Sequence, residues 1–250
     1  MDLLNNYRSL CTEFYEIDKP HAPKNALSYY LSVAKSSVQP VLEPMCGSGR
    51  FLIPMLEKGI DIEGTDASTE MLKSCKIKCR DKKLNPVLHY QKIQKMKLPR
   101  KYGMAFIPSG SFGLITDLIE VRESLKRIHD CLLTEGKLLI ETETPYTPVQ
   151  DEIINVREAF RDSNSRIILT SKTRYVIKEN IETIDCDYKS FKNGKLVSSE
   201  NETIKVRHYS VSEFQELLKS AGFSEISEFK PYSELTATDK DEMILFKCRA

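Results

Sequence analysis

The chain has 250 residues, of which 40% are hydrophobic and 29% charged, with a formal net charge of +1. That balance excludes wholesale disorder and leaves room for one α/β domain with an insertion. Seven scattered cysteines, an odd number, argue against a disulfide framework and for reduced thiols in a cytoplasmic protein. Cys75 and Cys79 stand one helical turn apart, but no second Cys/His pair completes a zinc site, so no metal is expected. The N-terminal "MDLLNNYRSLCTEFYE" has no long apolar run, so neither a signal peptide nor a membrane span is expected.

In chain order, residues 1–35 read as helices, ended by "KSSVQP". Strand and helix signals then alternate: strand 40–44, helix 49–58 stopped by Gly59, strand 60–66, and helix 68–80 with Ser68 as N-cap. Strands follow at 87–91 and 102–109. Helix 117–133 is capped by Asp117 and shows one apolar face at Leu118, Val121, Leu125, Ile128 and Leu132. Gly136 leads into strand 137–143. Alternation at these lengths implies a parallel sheet covered by helices.

The pattern changes near residue 150. "EIINVREAF" reads as a short helix, and three strands follow it. Asn193-Gly194 between the last two is a hairpin signal, because both central residues must accept positive φ. The expected division is a core of residues 1–149 and 210–250, with an antiparallel β insertion, 150–209, covering the substrate site. After the insertion, Ser210 and Glu213 make a capping box, Tyr209 can staple onto Phe214, and Gly222 stops the helix. Two last strands, "FSEISEFK" and "EMILFKC", close the chain.

The chemistry concentrates in "VLEPMCGSGRF", residues 41–51. The loop lies at the carboxyl end of the first strand, where parallel α/β sheets bind ligands. Gly47 and Gly49 let a ligand approach bare backbone. Asp66 ends the second strand, and a carboxylate there can accept both hydroxyls of a ribose. Together these features indicate an adenosine-containing cofactor. A dinucleotide fingerprint needs a small residue where Leu52 stands. A pyrophosphate also has no use for Glu43, whereas an ammonium group does. S-adenosylmethionine has an amino-acid tail, a ribose and an adenine, and no phosphate.

Five segments in this order and spacing, "VLEPMCGSGR", "GIDIEGTDASTEMLKSC", "FIPSGSFGLI", "CLLTEGKLLIETETP" and "RHYSVSEFQELLKSAGFSEI", resemble the class I S-adenosylmethionine-dependent methyltransferases, small-molecule type. The resemblance implies a Rossmann-like seven-stranded sheet of order 3-2-1-4-5-7-6 with strand 7 antiparallel. It also implies residue roles. Glu43 holds the cofactor's ammonium, and Gly47 and Gly49 face its tail. Asp66 binds the ribose. Ala67, Met71, Gln91 and Ile93 surround the adenine. Ser109 faces the reacting methyl, Tyr15 closes over the cofactor, and Arg50 pairs with its carboxylate. Met45 stands where the family loop has its first glycine. Lys92 stands where the family often has an acid for the adenine amino group. Lysine cannot accept that bond, which leaves Gln91 or a backbone carbonyl.

Methyl transfer from a sulfonium to a lone pair needs alignment above all, worth about 7–11 kcal/mol. An amine acceptor needs little more, while a hydroxyl needs a base with a pKa near working pH. His208, Glu143 and Tyr146 are the candidates at the rim. The expected partner is a small molecule, bound by a monomer or homodimer. Two alternatives remain open. Residues 73–101 carry eleven Lys/Arg against Asp81 alone, a band that RNA could use. A non-catalytic cofactor-binding protein is the other.

Overall fold

A computed structural model gives the fold of residues 7–38, 40–146 and 152–250, and every structural statement below concerns these residues. Two helices lead, α1 (Ser9–Asp18) and α2 (Lys24–Ser36). The alternating region follows as β1 (Val41–Pro44), α3 (Leu52–Glu57), β2 (Ile62–Asp66), α4 (Thr69–Asp81), β3 (Val87–Tyr90), β4 (Tyr102–Ile107), α5 (Leu118–Cys131) and β5 (Leu132–Glu143). Next come β6 (Ile153–Asp162), β7 (Ser165–Val176), β8 (Ile181–Lys192) and β9 (Lys195–Arg207). The chain ends with α6 (Val211–Ala221), β10 (Ser224–Phe229) and β11 (Met243–Arg249).

The larger sheet has seven strands in the order β10-β11-β5-β4-β1-β2-β3. Strands β1 to β5 pair in parallel, and β11 runs antiparallel to both β5 and β10. This is the expected order with its one reversed strand. The period-2 alternation of strand side chains splits the core into two layers. Leu42, Ala105, Ile107, Leu138, Ile140 and Phe246 pack towards α5 and α6. Val41, Met104, Phe106, Leu139 and Leu245 pack towards α2, α3 and α4. Strands buried on both faces therefore read as continuous apolar runs, as in "YGMAFI".

The local signals locate the elements. Ser68 accepts the Met71 N–H at 3.2 Å and Ser210 accepts the Glu213 N–H at 3.2 Å. Asp117 accepts from Ile119 and Glu120, and the Tyr209 and Phe214 rings meet at 4.9 Å. Asn193 and Gly194 have φ of 52° and 75°, the geometry a two-residue hairpin turn requires.

The second sheet is antiparallel, β6-β7-β8-β9. Here the sequence expectation needs correction: "EIINVREAF" is not a helix but lies within strand β6, which pairs with β7 from Ile153↔Thr173 to Asp162↔Ser165. Glu158 and Ala159 are good helix formers, but β-branched Ile153, Ile154 and Val156 favour the pleated surface offered by β7. One face of this sheet packs Ala159, Ile167, Leu169, Cys186 and Tyr188 against Leu10, Cys11 and Phe14 of α1. Helix α1 thus sits on the second sheet and also contacts the core, where the Ser68 hydroxyl donates to the Tyr7 carbonyl at 2.9 Å.

Candidate active site

A cavity of about 250 Å³ opens at the carboxyl ends of β1, β2 and β3. Eight of the residues singled out from the sequence line it: Tyr15, Met45, Gly47, Asp66, Ala67, Met71, Gln91 and Ile93. The loop after β1 has Met45, Gly47 and Gly49 at φ of 58°, 54° and 83°. Met45 therefore adopts the left-handed backbone that the glycine it replaces would adopt freely, a conformation that costs a non-glycine residue about 1–2 kcal/mol. A Cβ on Gly47 would meet nothing within 4 Å and would project into open space, so the bare backbone here borders the cavity.

Asp66 ends β2 and turns its carboxylate towards that loop. One oxygen accepts the Gly47 N–H and the other the Ser68 N–H, each at 2.8 Å. A carboxylate has about four acceptor sites, so these two bonds orient it and leave capacity for hydroxyls in the cavity. Burial raises its pKa, against the pull of the Ser68, Gly47 and Ala67 backbone donors.

Glu43 does not line the cavity wall but lies behind the loop on β1, only 2% exposed. Burial drives its pKa well above the carboxylate range, offset in part by Arg50 and by the Leu52 N–H. Its Oε2 is buried without a hydrogen-bond partner. An orphaned carboxylate oxygen of this kind calls for a hydrogen-bond donor, which an ammonium group would supply. The Arg50 guanidinium lies 5.0 Å from the Tyr15 ring centre and acts electrostatically on both Tyr15 and Glu43.

Four expected contacts, Glu43, Gly49, Arg50 and Ser109, are not among the cavity-lining residues, and a fifth, Gln91, lines it with its amide engaged elsewhere. A Cβ on Gly49 would strike Cys75 Sγ at 2.6 Å, so this glycine serves packing of α4 against the loop. Ser109 is exposed, at φ 60°, with its N–H donated to Glu141 at 2.7 Å; Ser111 lines the cavity instead. Gln91 lines the wall, but its amide is spent on both backbone groups of Lys97, at 2.7 and 3.1 Å. These two bonds fix the orientation of the amide along Lys97 and leave one lone pair on Oε1.

Sequence reasoning missed Tyr7, Lys92, Gln94, Leu114, Ile115 and Glu120, which complete the cavity lining. Tyr7 reaches it because β9 holds the start of α1: Glu202 accepts the Tyr7 and Arg8 N–H groups at 2.9 and 2.7 Å, and Glu200 accepts that of Cys11 at 3.0 Å. Carboxylates at a helix N-terminus satisfy its free donors and oppose its dipole. No local signal near Tyr7 discloses partners almost two hundred residues away.

Of the acid–base candidates, His208 and Glu143 meet. His208 Nε2 lies 3.3 Å from Glu143 and 3.7 Å from Glu182, which the sequence did not single out. Burial lowers the His208 pKa, but the Glu182 and Glu143 carboxylates and the Thr144 carbonyl outweigh it and raise the pKa overall. Glu143 is raised by burial and Glu182, against the charges of His208 and Lys19. Its carboxylate borders Gly110, where a Cβ would lie 3.1 Å from Oε1. The pair therefore stands at the ends of β4 and β5, beside the turn that carries Ser111. Tyr146 is exposed and is not among the cavity-lining residues.

Residues 41–136 match a family model described as a methyltransferase domain, and the sheet around them has the order expected of that class. Residues 41–136 carry a methyltransferase domain. The match begins at β1 and ends within β5, so the domain's glycine loop and Asp66 both lie inside it. Beyond the matched span, the Bacillus subtilis (strain 168) protein YqeM is 22% identical over 242 residues, 92% of this chain and 91% of YqeM. An S-adenosylmethionine-dependent methyltransferase from Clostridium acetobutylicum ATCC 824 shares the fold at a TM-score of 0.78 and 18% identity, covering 95% of this chain and 96% of that one. The sugar N-methyltransferase KedS8 from Streptoalloteichus sp ATCC 53650 superposes at 0.77 with 14% identity, covering 98% and 96%. These two coverages extend through the second sheet, so the likeness of fold takes in both sheets.

Proposed function

We propose that this methyltransferase uses S-adenosylmethionine to methylate an amine nitrogen of a small molecule held beneath the antiparallel sheet. The observation that carries the cofactor assignment is the Glu43 carboxylate oxygen, buried and unpartnered behind a loop whose Gly47 backbone is bare. Glu43 would take the ammonium, Arg50 the carboxylate, and Asp66 the ribose hydroxyls. Tyr15, Met71 and Ile93 would supply apolar walls. The cofactor's contribution is a methyl group on a sulfonium, whose departure leaves a neutral thioether.

What the chain adds is position. Tyr15 on α1 and Tyr7 just before it supply aromatic lining to the cavity. His208 and Glu143 stand outside the cavity lining, at the strand ends beside the turn that carries Ser111, where an acceptor would lie. The nitrogen assignment draws support from structural neighbours of this fold named as sugar and amino-pentose methyltransferases. An acceptor as large as RNA is less well supported. Within the basic band Lys78 pairs with Glu16, Lys82 with Glu57, and Arg100 with Asp61 and Glu63.

Calorimetry with purified protein and S-adenosylmethionine tests the cofactor step. One cofactor per chain is expected, with affinity reduced about tenfold or more in Asp66→Ala. Incubation with a panel of small amines and mass spectrometry tests transfer. Absent cofactor binding, or an unchanged affinity in Asp66→Ala, overturns the respective assignment.

A further inference from the structure

Glu143 closes β5, Glu182 lies at the start of β8, and His208 follows β9, so three distant segments meet at one point. One ligand atom from each of the three lies within 4.8 Å of those of the other two. The other ring nitrogen, Nδ1, lies 3.0 Å from the Thr144 carbonyl oxygen. A carbonyl can only accept, so Nδ1 carries the hydrogen, and the neutral form of the ring turns its Nε2 lone pair towards two carboxylates. His208 is 8% exposed, and its Nε2 is buried with no hydrogen-bond partner. With the ring neutral, three acceptors converge without a donor between them, an arrangement that a bound cation would satisfy.

We propose that Glu143, Glu182 and His208 form a binding site for one divalent metal ion. Bonds of about 2.1 Å around a common ion place neighbouring ligand atoms about 3.0–3.5 Å apart. The separations of 3.3 and 3.7 Å from Nε2 to the two carboxylates suit that arrangement better than they suit hydrogen bonds. An imidazole that donates its far N–H to a backbone carbonyl is in the orientation metal ligands take. One nitrogen and two carboxylates, with no thiolate, select manganese or zinc. Three protein ligands leave coordination positions for solvent or for an oxygen atom of the acceptor. That second role, anchoring an acceptor that carries a hydroxyl or carboxylate beside its amine, rests on the methyl-transfer reading, whereas ion binding does not. The Tyr175 ring lies 5.2 Å from that of His208 and packs beside the three groups.

The test uses the full chain, treated with chelator and titrated with Mn²⁺, with the free ion read by electron paramagnetic resonance. One Mn²⁺ per chain is expected, weakened about tenfold or more in both Glu182→Gln and His208→Gln. Circular dichroism and melting of each variant establish that it is folded. Uptake of no ion by the parent chain overturns the site and means that a proton alone, as imidazolium, holds the three groups. Uptake unchanged in the two folded variants overturns it equally, because the ion then lies elsewhere. A chain that takes up Mn²⁺ but binds no S-adenosylmethionine refutes the proposed function and leaves the metal site standing; the opposite pattern does the reverse.

Discussion

Glu43 is the residue on which a charge argument can be made most sharply. Burial raises its pKa well above 4.5 in the folded chain. A raised carboxylate favours folding below the unfolded value and loses that contribution as pH rises through the folded one. The cofactor-free protein therefore carries a penalty for the charged form, which an ammonium would relieve. Cofactor affinity should rise with pH through the raised pKa, with release of a proton, until the ammonium itself titrates near pH ~8. Glu43→Gln should flatten that slope and weaken binding about 10–100-fold at its upper end, the worth of a hydrogen bond between charged groups. The same variant should melt higher than the parent when cofactor-free at pH ~8. Calorimetry across pH checks both statements; a Gln variant with the parent's slope would move the titrating group to Asp66. The type and place of Glu43 and Asp66 were legible in the sequence, because strand ends and a glycine loop fix where their side chains go. The engagement of Gln91 with Lys97, and the turn that withdraws Ser109, depend on φ values and partners that residue type does not encode.

Helix α1 shows what one element owes to another. It has no side-chain cap of its own at Arg8. Its first free N–H groups go to Glu202 and Glu200 on β9, and the Glu202 side chain is fully buried in the ion pair with Arg8. Glu202→Ala should leave the Tyr7 and Arg8 donors unmet and loosen the hold of β9 on the start of α1, whose Tyr15 lines the cavity. The expected readout is cofactor release about tenfold faster by stopped flow, with little change in the association rate, since interface losses fall mainly on dissociation. Glu202→Gln keeps one acceptor oxygen and should recover part of the difference. Equal release rates in parent and alanine variant would mean that α1 is held by its apolar face alone. Elements with local start and stop chemistry, such as α4, α5, α6 and the β8–β9 turn, were readable in the sequence. Strand β6 was not, because its outer residues are exposed and only pairing with β7 distinguishes it from a helix.

At the scale of the whole molecule, the two sheets are joined through α1 as well as through the chain. Arg157 and Arg161 on β6 pair with Asp18 and Glu13 of the helix, while Ser68 ties the helix to the core beside Asp66. The sheet order followed from a family resemblance, but this three-body contact has no sequence signature, since its partners lie on separate segments. It has a measurable consequence. A ligand that binds the folded chain at 100 times its Kd adds about 2.7 kcal/mol. For a chain of this size that raises Tm by about 5–10 °C. If α1 couples the sheets, S-adenosylmethionine should move a single calorimetric transition by that amount, although its cavity lies against the larger sheet. Glu202→Ala should then reduce the shift and split the transition, leaving the β6–β9 sheet to melt at a temperature the cofactor no longer changes. Two separate transitions in the parent protein, with only one responding to cofactor, would show instead that the antiparallel sheet melts independently of the core and that Tyr7 and Tyr15 gain nothing from the sheet behind them.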